Sequence, residues 1–162
     1  MYAIQERVSK DPYKLDKKQL VDIIDKEFKP LGFKRKDNYW QFNGTEIIKI
    51  IYLQKSSFSK LYYINYGFNF VNLDYHGTSM HVFKGLGSLV KQENELIKSL
   101  LDFENDIDDE TRRDKLTEII RNILKVELNK INTERDVLKE IEENSILLEM
   151  LPLKVKEYLK LE

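Results

Sequence analysis

The chain of 162 residues has no cysteine, three prolines, six glycines, one tryptophan and two histidines. The missing cysteine removes disulfides, thiolate nucleophiles, zinc ribbons and iron–sulfur clusters together. Long apolar runs are missing too, since none approaches the roughly 20 residues that a membrane span needs. Met1–Lys10 carries no apolar segment of the kind a secretory signal requires. Nor is there an excess of one charge. The 27 Lys+Arg stand against 28 Asp+Glu, a formal charge of −1, and so balanced a total argues against generic nucleic-acid binding. No Gly-x-Ser-x-Gly is present, which leaves a serine hydrolase without its nucleophile elbow. What is there is 41% hydrophobic and 11% aromatic, enough for a core and inconsistent with global disorder. The length suits one domain and would cramp two.

Charge and composition divide along the chain. Residues 1–90 hold 14 basic and 9 acidic side chains, a net of +5; residues 91–162 hold 13 and 19, a net of −6. All six glycines and eight of nine tyrosines fall in the first part, while the second is rich in Leu, Ile, Glu and Lys. This predicts α+β architecture in a single domain, 1–162, with a strand-rich half 1–87 and a helix-rich half 88–162. There is no repeat, and no Pro/Gly/Ser-rich linker divides the halves.

Local signals place the elements. Asp16 followed by Gln19 fits a capping box, with Leu15 and Leu20 as a hydrophobic staple. Leu20, Val21, Ile24 and Phe28 then form one helical stripe, which Pro30 and Gly32 end. Strands are predicted at 33–36 and 39–42 around an Asp37-Asn38 turn, and at 45–54 after the hairpin signal Asn43-Gly44. The third strand is apolar on both faces, as a central strand is. Leu61–Leu73 alternates: Tyr62, Ile64, Tyr66, Phe68 and Phe70 share a core face, and Tyr63, Asn65, Gly67 and Asn69 a mixed one. A last short strand falls within 78–84. Helices are expected from Ser88 to Leu101, from about Asp108 with Leu116, Ile119, Ile120, Ile123 and Leu124 inward, from Thr133 with Asp136 as its cap, and after Pro152, with a short turn at Ser145.

Several constellations invite a chemical reading. Asp102, Glu104, Asp106, Asp108, Asp109 and Glu110 fall within nine residues, and hard cations want several oxygen ligands at such spacing. As a calcium loop the segment fails, because Ile107 and Arg113 occupy the positions that need Gly and a bidentate Glu. Capping of the following helix explains the same carboxylates. His76 and His81 would point to opposite faces of a strand and lie about 140° apart on a helix, so two independent histidines are expected. Gly85-Leu86-Gly87-Ser88 sits where phosphate loops live, but Val90 replaces the third glycine of a dinucleotide loop and no Gly-Lys-Ser follows. Lys34-Arg35-Lys36 beside Tyr39 and Trp40 suggests either single-stranded nucleic acid, bound by charge and stacking, or an edge strand guarded by lysines. On the mixed face of the fourth strand, Tyr63, Asn65 and Asn69 offer hydrogen-bonding groups and Gly67 leaves room for close approach. Gln54, Lys55 and Ser56 end the neighbouring strand beside them. Those six side chains, Gln54, Lys55, Ser56, Tyr63, Asn65 and Asn69, are the candidate binding residues; a solvated sheet face or a packed amide layer explains them equally.

The stretch Phe28-Lys29-Pro30-Leu31-Gly32-Phe33-Lys34-Arg35-Lys36 with Tyr39-Trp40 resembles the opening of the domain of unknown function 4304 family. The likeness continues through Leu53-Gln54-Lys55-Ser56-Ser57 and Tyr63-Ile64-Asn65-Tyr66-Gly67, and covers roughly residues 15–75. The resemblance implies a small bacterial, cytoplasmic protein and supplies no activity. Similar small α+β families stand beside bacterial toxin genes as immunity proteins, which is an analogy only.

The expectation is therefore an antiparallel sheet of about four or five strands packed against an N-terminal helix and several C-terminal helices. The function expected first is a non-catalytic protein-binding module, of the immunity type, that sequesters a partner. An acidic helical face would suit a basic partner such as a nuclease. A carboxylate- or metal-dependent enzyme built on residues 102–110 is the alternative, and a weak nucleic-acid binder using Lys34–Lys36 and Trp40 the second. No catalytic residue, metal ligand or cofactor is assigned, no membrane contact is expected, and the oligomeric state is open.

Overall fold

A computed structural model describes residues 16–88 and 93–161; Leu15, expected in the staple, and the side chain of Ser88, expected as a helix cap, lie outside the described set. Helix α1 spans Lys17–Phe28, started by Asp16 Oδ1, which accepts from the Gln19 N–H at 3.0 Å. Its buried stripe is Leu20, Val21, Ile24 and Phe28. A single 3₁₀ turn, Lys29–Leu31, follows, and Gly32 closes it at φ 94°, a left-handed conformation that costs glycine little.

Five strands come next: β1 (Lys34–Lys36), β2 (Tyr39–Asn43), β3 (Ile47–Lys55), β4 (Tyr62–Phe70) and β5 (Val82–Gly85). They pair in chain order, each antiparallel to the next. β3 is the middle strand; on its second face Ile50 is buried and Ile48 and Tyr52 are half-buried. The boundaries shift where hydrogen bonds override propensity. Gly44 N–H donates to the Ile47 carbonyl at 2.9 Å, so the turn takes more residues than Asn43-Gly44 alone and β3 begins two residues after Thr45. The last strand is shorter than expected because side chains hold the segment before it: Asn69 Oδ1 accepts from His81 N–H at 2.7 Å and Asn69 Nδ2 donates to the Ser79 carbonyl at 3.2 Å.

The register sorts the side chains into two faces. Trp40, Ile51, Tyr66 and Lys84 align across one face, and Lys36, Tyr39, Tyr52, Asn65 and Gly85 align across the other. The first face is the core. It packs against α1 and against α2 (Asn94–Leu101), α3 (Asp109–Ile119), α4 (Lys125–Lys130), α5 (Glu134–Glu142), α6 (Ser145–Met150) and α7 (Leu153–Tyr158). Leu20, Ile24, Leu116, Ile120, Leu124, Leu128 and Val155 are all fully buried in that one cluster. The expected long helix from Asp108 is broken between α3 and α4 by a π-helical turn, Ile120–Leu124. Arg121 and Lys125 from this stretch both reach Glu27 of α1, at 2.8 and 3.3 Å, which ties the two helices by charge as well as by packing. α5 starts with the full capping box of Thr133 and Asp136. Asn144 rather than Ser145 caps α6, by accepting from Leu147 N–H at 3.1 Å. Tyr158 of α7 donates its hydroxyl to the Glu134 carboxylate of α5. Among the described residues no helix is long and apolar enough to cross a membrane.

Gly67, at the centre of β4, is required by close approach. A Cβ built there would stand 2.0 Å from the Val82 carbonyl oxygen of β5 and 2.7 Å from Met80 Sδ. Backbone cannot yield as a side-chain tip can, so overpacking forces strands apart. Gly67→Ala is expected to lower the free energy of unfolding by about 2 kcal/mol or more; denaturant melts that place it within about 0.5 kcal/mol of the parent would contradict this packing.

Candidate functional site

The second face of the sheet is open over much of its area. Its strand positions run from Lys34 and Lys36 through Tyr39, Gln41 and Asn43 to Ile48, Ile50, Tyr52 and Gln54, then to Tyr63, Asn65 and Asn69, and end at Phe83. None of these positions is acidic. Tyr39 and Tyr52 stack at 4.3 Å between ring centroids. Tyr39, Tyr63 and Phe83 are each about two-fifths exposed, at 38%, 42% and 41%. Ile50 and Met80 are buried here, but they stand apart from the main core cluster and form a small apolar floor beside Gly67.

The six candidate binding residues divide on this frame. Gln54, Tyr63 and Asn65 come together: Asn65 Nδ2 donates to Gln54 Oε1 at 2.9 Å, and Tyr63 lies directly opposite Gln54. Asn65 is buried, at the base of a cleft of about 290 Å³ that Tyr63, Gly85, Gly87, Asn94 and Lys98 also line. The Gly85-Leu86-Gly87 segment thus borders the candidate residues. Ser56 shapes a turn, since its Oγ accepts from Phe58 N–H at 3.2 Å and its N–H donates to the Leu61 carbonyl at 2.8 Å. Lys55 is exposed at the same strand end. Asn69 is set apart, spent on the two bonds that hold the segment before β5. Phe58 and Phe83 were not singled out by the sequence. Phe58 is 99% exposed, and an exposed phenylalanine leaves no trace in periodicity.

Nucleic-acid stacking on Trp40 is overturned. The indole is fully buried on the core face, and its N–H donates to Asp25 Oδ1 at 2.7 Å. Arg35 Nε, on the same face, meets that carboxylate oxygen at 3.4 Å. Only Lys34 and Lys36 of the basic triplet turn to the open face.

The acidic segment is organised around a cation of the protein's own. Arg112, 2% exposed, donates to the carbonyls of Leu100 at 2.6 Å, Asp102 at 2.9 Å and Asn105 at 2.8 Å, and its guanidinium lies 5.4 Å from the Phe103 ring centroid. Backbone oxygens that a metal loop would offer are therefore bound to a guanidinium. Asp108 caps α3 by accepting from Thr111 N–H at 3.0 Å, and those hydrogen bonds hold its carboxyl below the usual range. Among the described residues, no group of three or more His, Asp or Glu is placed to hold a metal ion.

The histidines share no hydrogen-bond partner, and they are unequal. His76 is exposed and meets Asp74 at 2.8 Å. His81 is buried, with Nδ1 accepting from Phe70 N–H at 2.9 Å and Nε2 paired to the Tyr75 carbonyl at 2.8 Å. Those partners require the neutral Nε2–H tautomer, and burial holds the ring below the usual histidine pKa.

Buried and half-buried charges bind the sheet to the helices. Lys49 donates to the Leu128 carbonyl at 2.5 Å and to Asn132 Oδ1 at 2.9 Å; burial pulls its ammonium below the lysine range. Lys84 pairs with Glu140 at 2.7 Å and lies 3.7 Å from Glu127, which Lys130 also approaches at 3.7 Å. Burial, and the neighbouring Glu140 carboxylate, push the Glu127 carboxyl up to about 7. Burial would raise Glu140 as well, but hydrogen bonds from Glu127 and Lys84 hold it below its ordinary value. Lys84 Nζ also lies 5.5 Å from the centroid of the buried Tyr66 ring.

These features define the class: an α+β protein with a five-stranded antiparallel meander, its helices on one face and an aromatic, amide-rich second face left open. A family model described as a domain of unknown function, DUF4304, matches residues 24–146, and the chain belongs to that family. No curated protein and no solved structure matches the chain.

Opposed pH effects follow from the two buried groups. Glu127, raised in the folded state, contributes stability that is fully present below pH 4.5 and lost as pH rises towards about 7. His81, depressed in the folded state, contributes stability present above about pH 6.5 and lost as pH falls through its folded value. Glu127→Gln is expected to flatten the first limb, gaining about 1 kcal/mol on the parent between pH 5 and pH 8 in urea melts. Parallel pH profiles for the two proteins would contradict a raised Glu127. For His81, nitrogen-detected NMR at pH 7 should find the Nε2–H tautomer; the Nδ1–H tautomer would overturn the assignment.

Proposed function

We propose that the chain is a cytoplasmic, non-catalytic protein-binding module of the immunity type, which sequesters a partner protein through the open face of its sheet. The observation that carries this is the composition of that face. Tyrosines and a phenylalanine supply large, rigid contact area, and asparagines and glutamines supply adaptable hydrogen bonds, which is the chemistry of protein-recognition surfaces. The groups that suggested other chemistry are engaged elsewhere: Trp40 in the core, the loop carbonyls near Asp102 on Arg112, His81 on two backbone groups.

Charge sets the kind of partner. The open face combines Lys34 and Lys36 with no acidic strand position. An acidic partner surface suits it better than the basic one that the acidic helical half suggested. Two exposed lysines are few for a phosphate backbone, whose binding rests on many contacts.

Paired Tyr39→Asp and Tyr63→Asp substitutions in the full chain test the proposal, because both side chains are exposed and neither belongs to the core cluster. A partner recovered with the parent protein and rebuilt from purified components should bind the double variant at least about 30-fold more weakly, the scale of a lost hot spot, while the variant, which loses the Tyr39–Tyr52 stacking, still unfolds cooperatively. Equal binding by the two proteins would contradict a role for this face.

A further inference from the structure

Phe58 stands at the apex of the β3–β4 hairpin, in Lys55-Ser56-Ser57-Phe58-Ser59-Lys60, and is 99% exposed. Hairpin tips favour small polar residues, and the serines here meet that preference. A phenylalanine left wholly in water forgoes about 2 kcal/mol of burial free energy, which seating in a partner would recover.

The loop that carries it is built independently of the ring. Ser56 Oγ accepts from Phe58 N–H at 3.2 Å, Ser59 Oγ accepts from Leu61 N–H at 3.3 Å, and Ser56 N–H donates to the Leu61 carbonyl at 2.8 Å. The root of the hairpin is fixed as well. Phe103 N–H donates to the Lys60 carbonyl at 3.1 Å, the Tyr62 and Phe103 rings pack at 5.1 Å, and Arg112 secures the segment behind Phe103. A hydrogen-bonded loop of this kind loses little backbone freedom on binding. Lys55 and Lys60 flank it, and no carboxylate lies among residues 55–60.

We propose that Phe58 is the anchor of the interaction surface, inserting into an apolar socket rimmed by carboxylates on a folded protein partner. The proposal rests on the binding role of the open sheet face, since Gln54 and Tyr63 lead from that face into the same hairpin. A protein fits better than a lipid surface, because one ring and two lysines give only marginal membrane affinity, whereas one central aromatic with a charged rim is a common protein hot spot.

Photo-crosslinking from p-benzoylphenylalanine at position 58 of the full chain, with the same group at exposed Val126 of α4 as control, provides the test. The expected result is a protein adduct from position 58 that position 126 does not give. With that partner purified, Phe58→Ala should weaken binding by 30-fold or more and the pair Lys55→Glu, Lys60→Glu by 10-fold or more, all with the parent unfolding midpoint. The proposal is overturned if position 58 gives no adduct beyond the control, if Phe58→Ala binds as the parent does, or if the same substitution instead abolishes binding to phosphatidylethanolamine–phosphatidylglycerol vesicles. Loss of binding in the Tyr39, Tyr63 variant with full binding by Phe58→Ala would leave the sheet face standing and remove the anchor; the reverse would keep the anchor and remove the face.

Discussion

One-sided packing of the meander is the constraint on which the rest depends. Five antiparallel strands in chain order have two faces, and the side chains alternate between them. Here α1 and the helices after β5 contribute to one core cluster on one face, with Trp40, Ile51, Tyr66 and Phe68 fully buried beneath them. The other face keeps Ile50 and Met80 from water over Gly67 and leaves Tyr39, Tyr63 and Phe83 accessible. The charge division of the sequence becomes spatial as a result. The tyrosines and the lysines of β1 line the sheet, and the acidic half of the chain makes most of the opposite layer.

The helical layer is held by buried ionic groups as well as by packing. Glu27, Lys49, Arg112 and Glu127 each take partners from another element. Breaking such a pair leaves an uncompensated buried charge, which is strongly destabilising.

Local features of the fold were legible because their causes are local. The Asp16 and Thr133 caps, the Gly32 stop, the alternation of β4 and the central position of β3 all rest on residues within a few positions of each other. What was not legible depended on distant partners. Trp40 sits among charges in the sequence, but a carboxylate from α1 receives its indole and draws it into the core. The carboxylates of 102–110 were already better explained as caps of the following helix, as Asp108 is, but the hold of Arg112 on the backbone oxygens beside them was not legible. Of the candidate residues, Gln54, Tyr63 and Asn65 assemble as a group, whereas Asn69 is occupied by the segment before β5. Gly67 left room for a close approach, and the approaching group is the backbone of β5 rather than a ligand. Phe58 lies two residues beyond the Gln54-Lys55-Ser56 stretch, but nothing in pattern or spacing separates an exposed phenylalanine from a buried one.

The proposed function places a partner protein on the open face of the sheet, with exposed Phe58 at the end of its β3–β4 hairpin. The most direct measurement is NMR mapping of the labelled chain with its purified partner. Binding through the sheet predicts that the largest shift changes fall on Tyr39, Tyr52, Tyr63 and Phe83, with the amides of α3 and α5 nearly unmoved. Changes concentrated on the helical layer, with the sheet resonances unchanged, would contradict it.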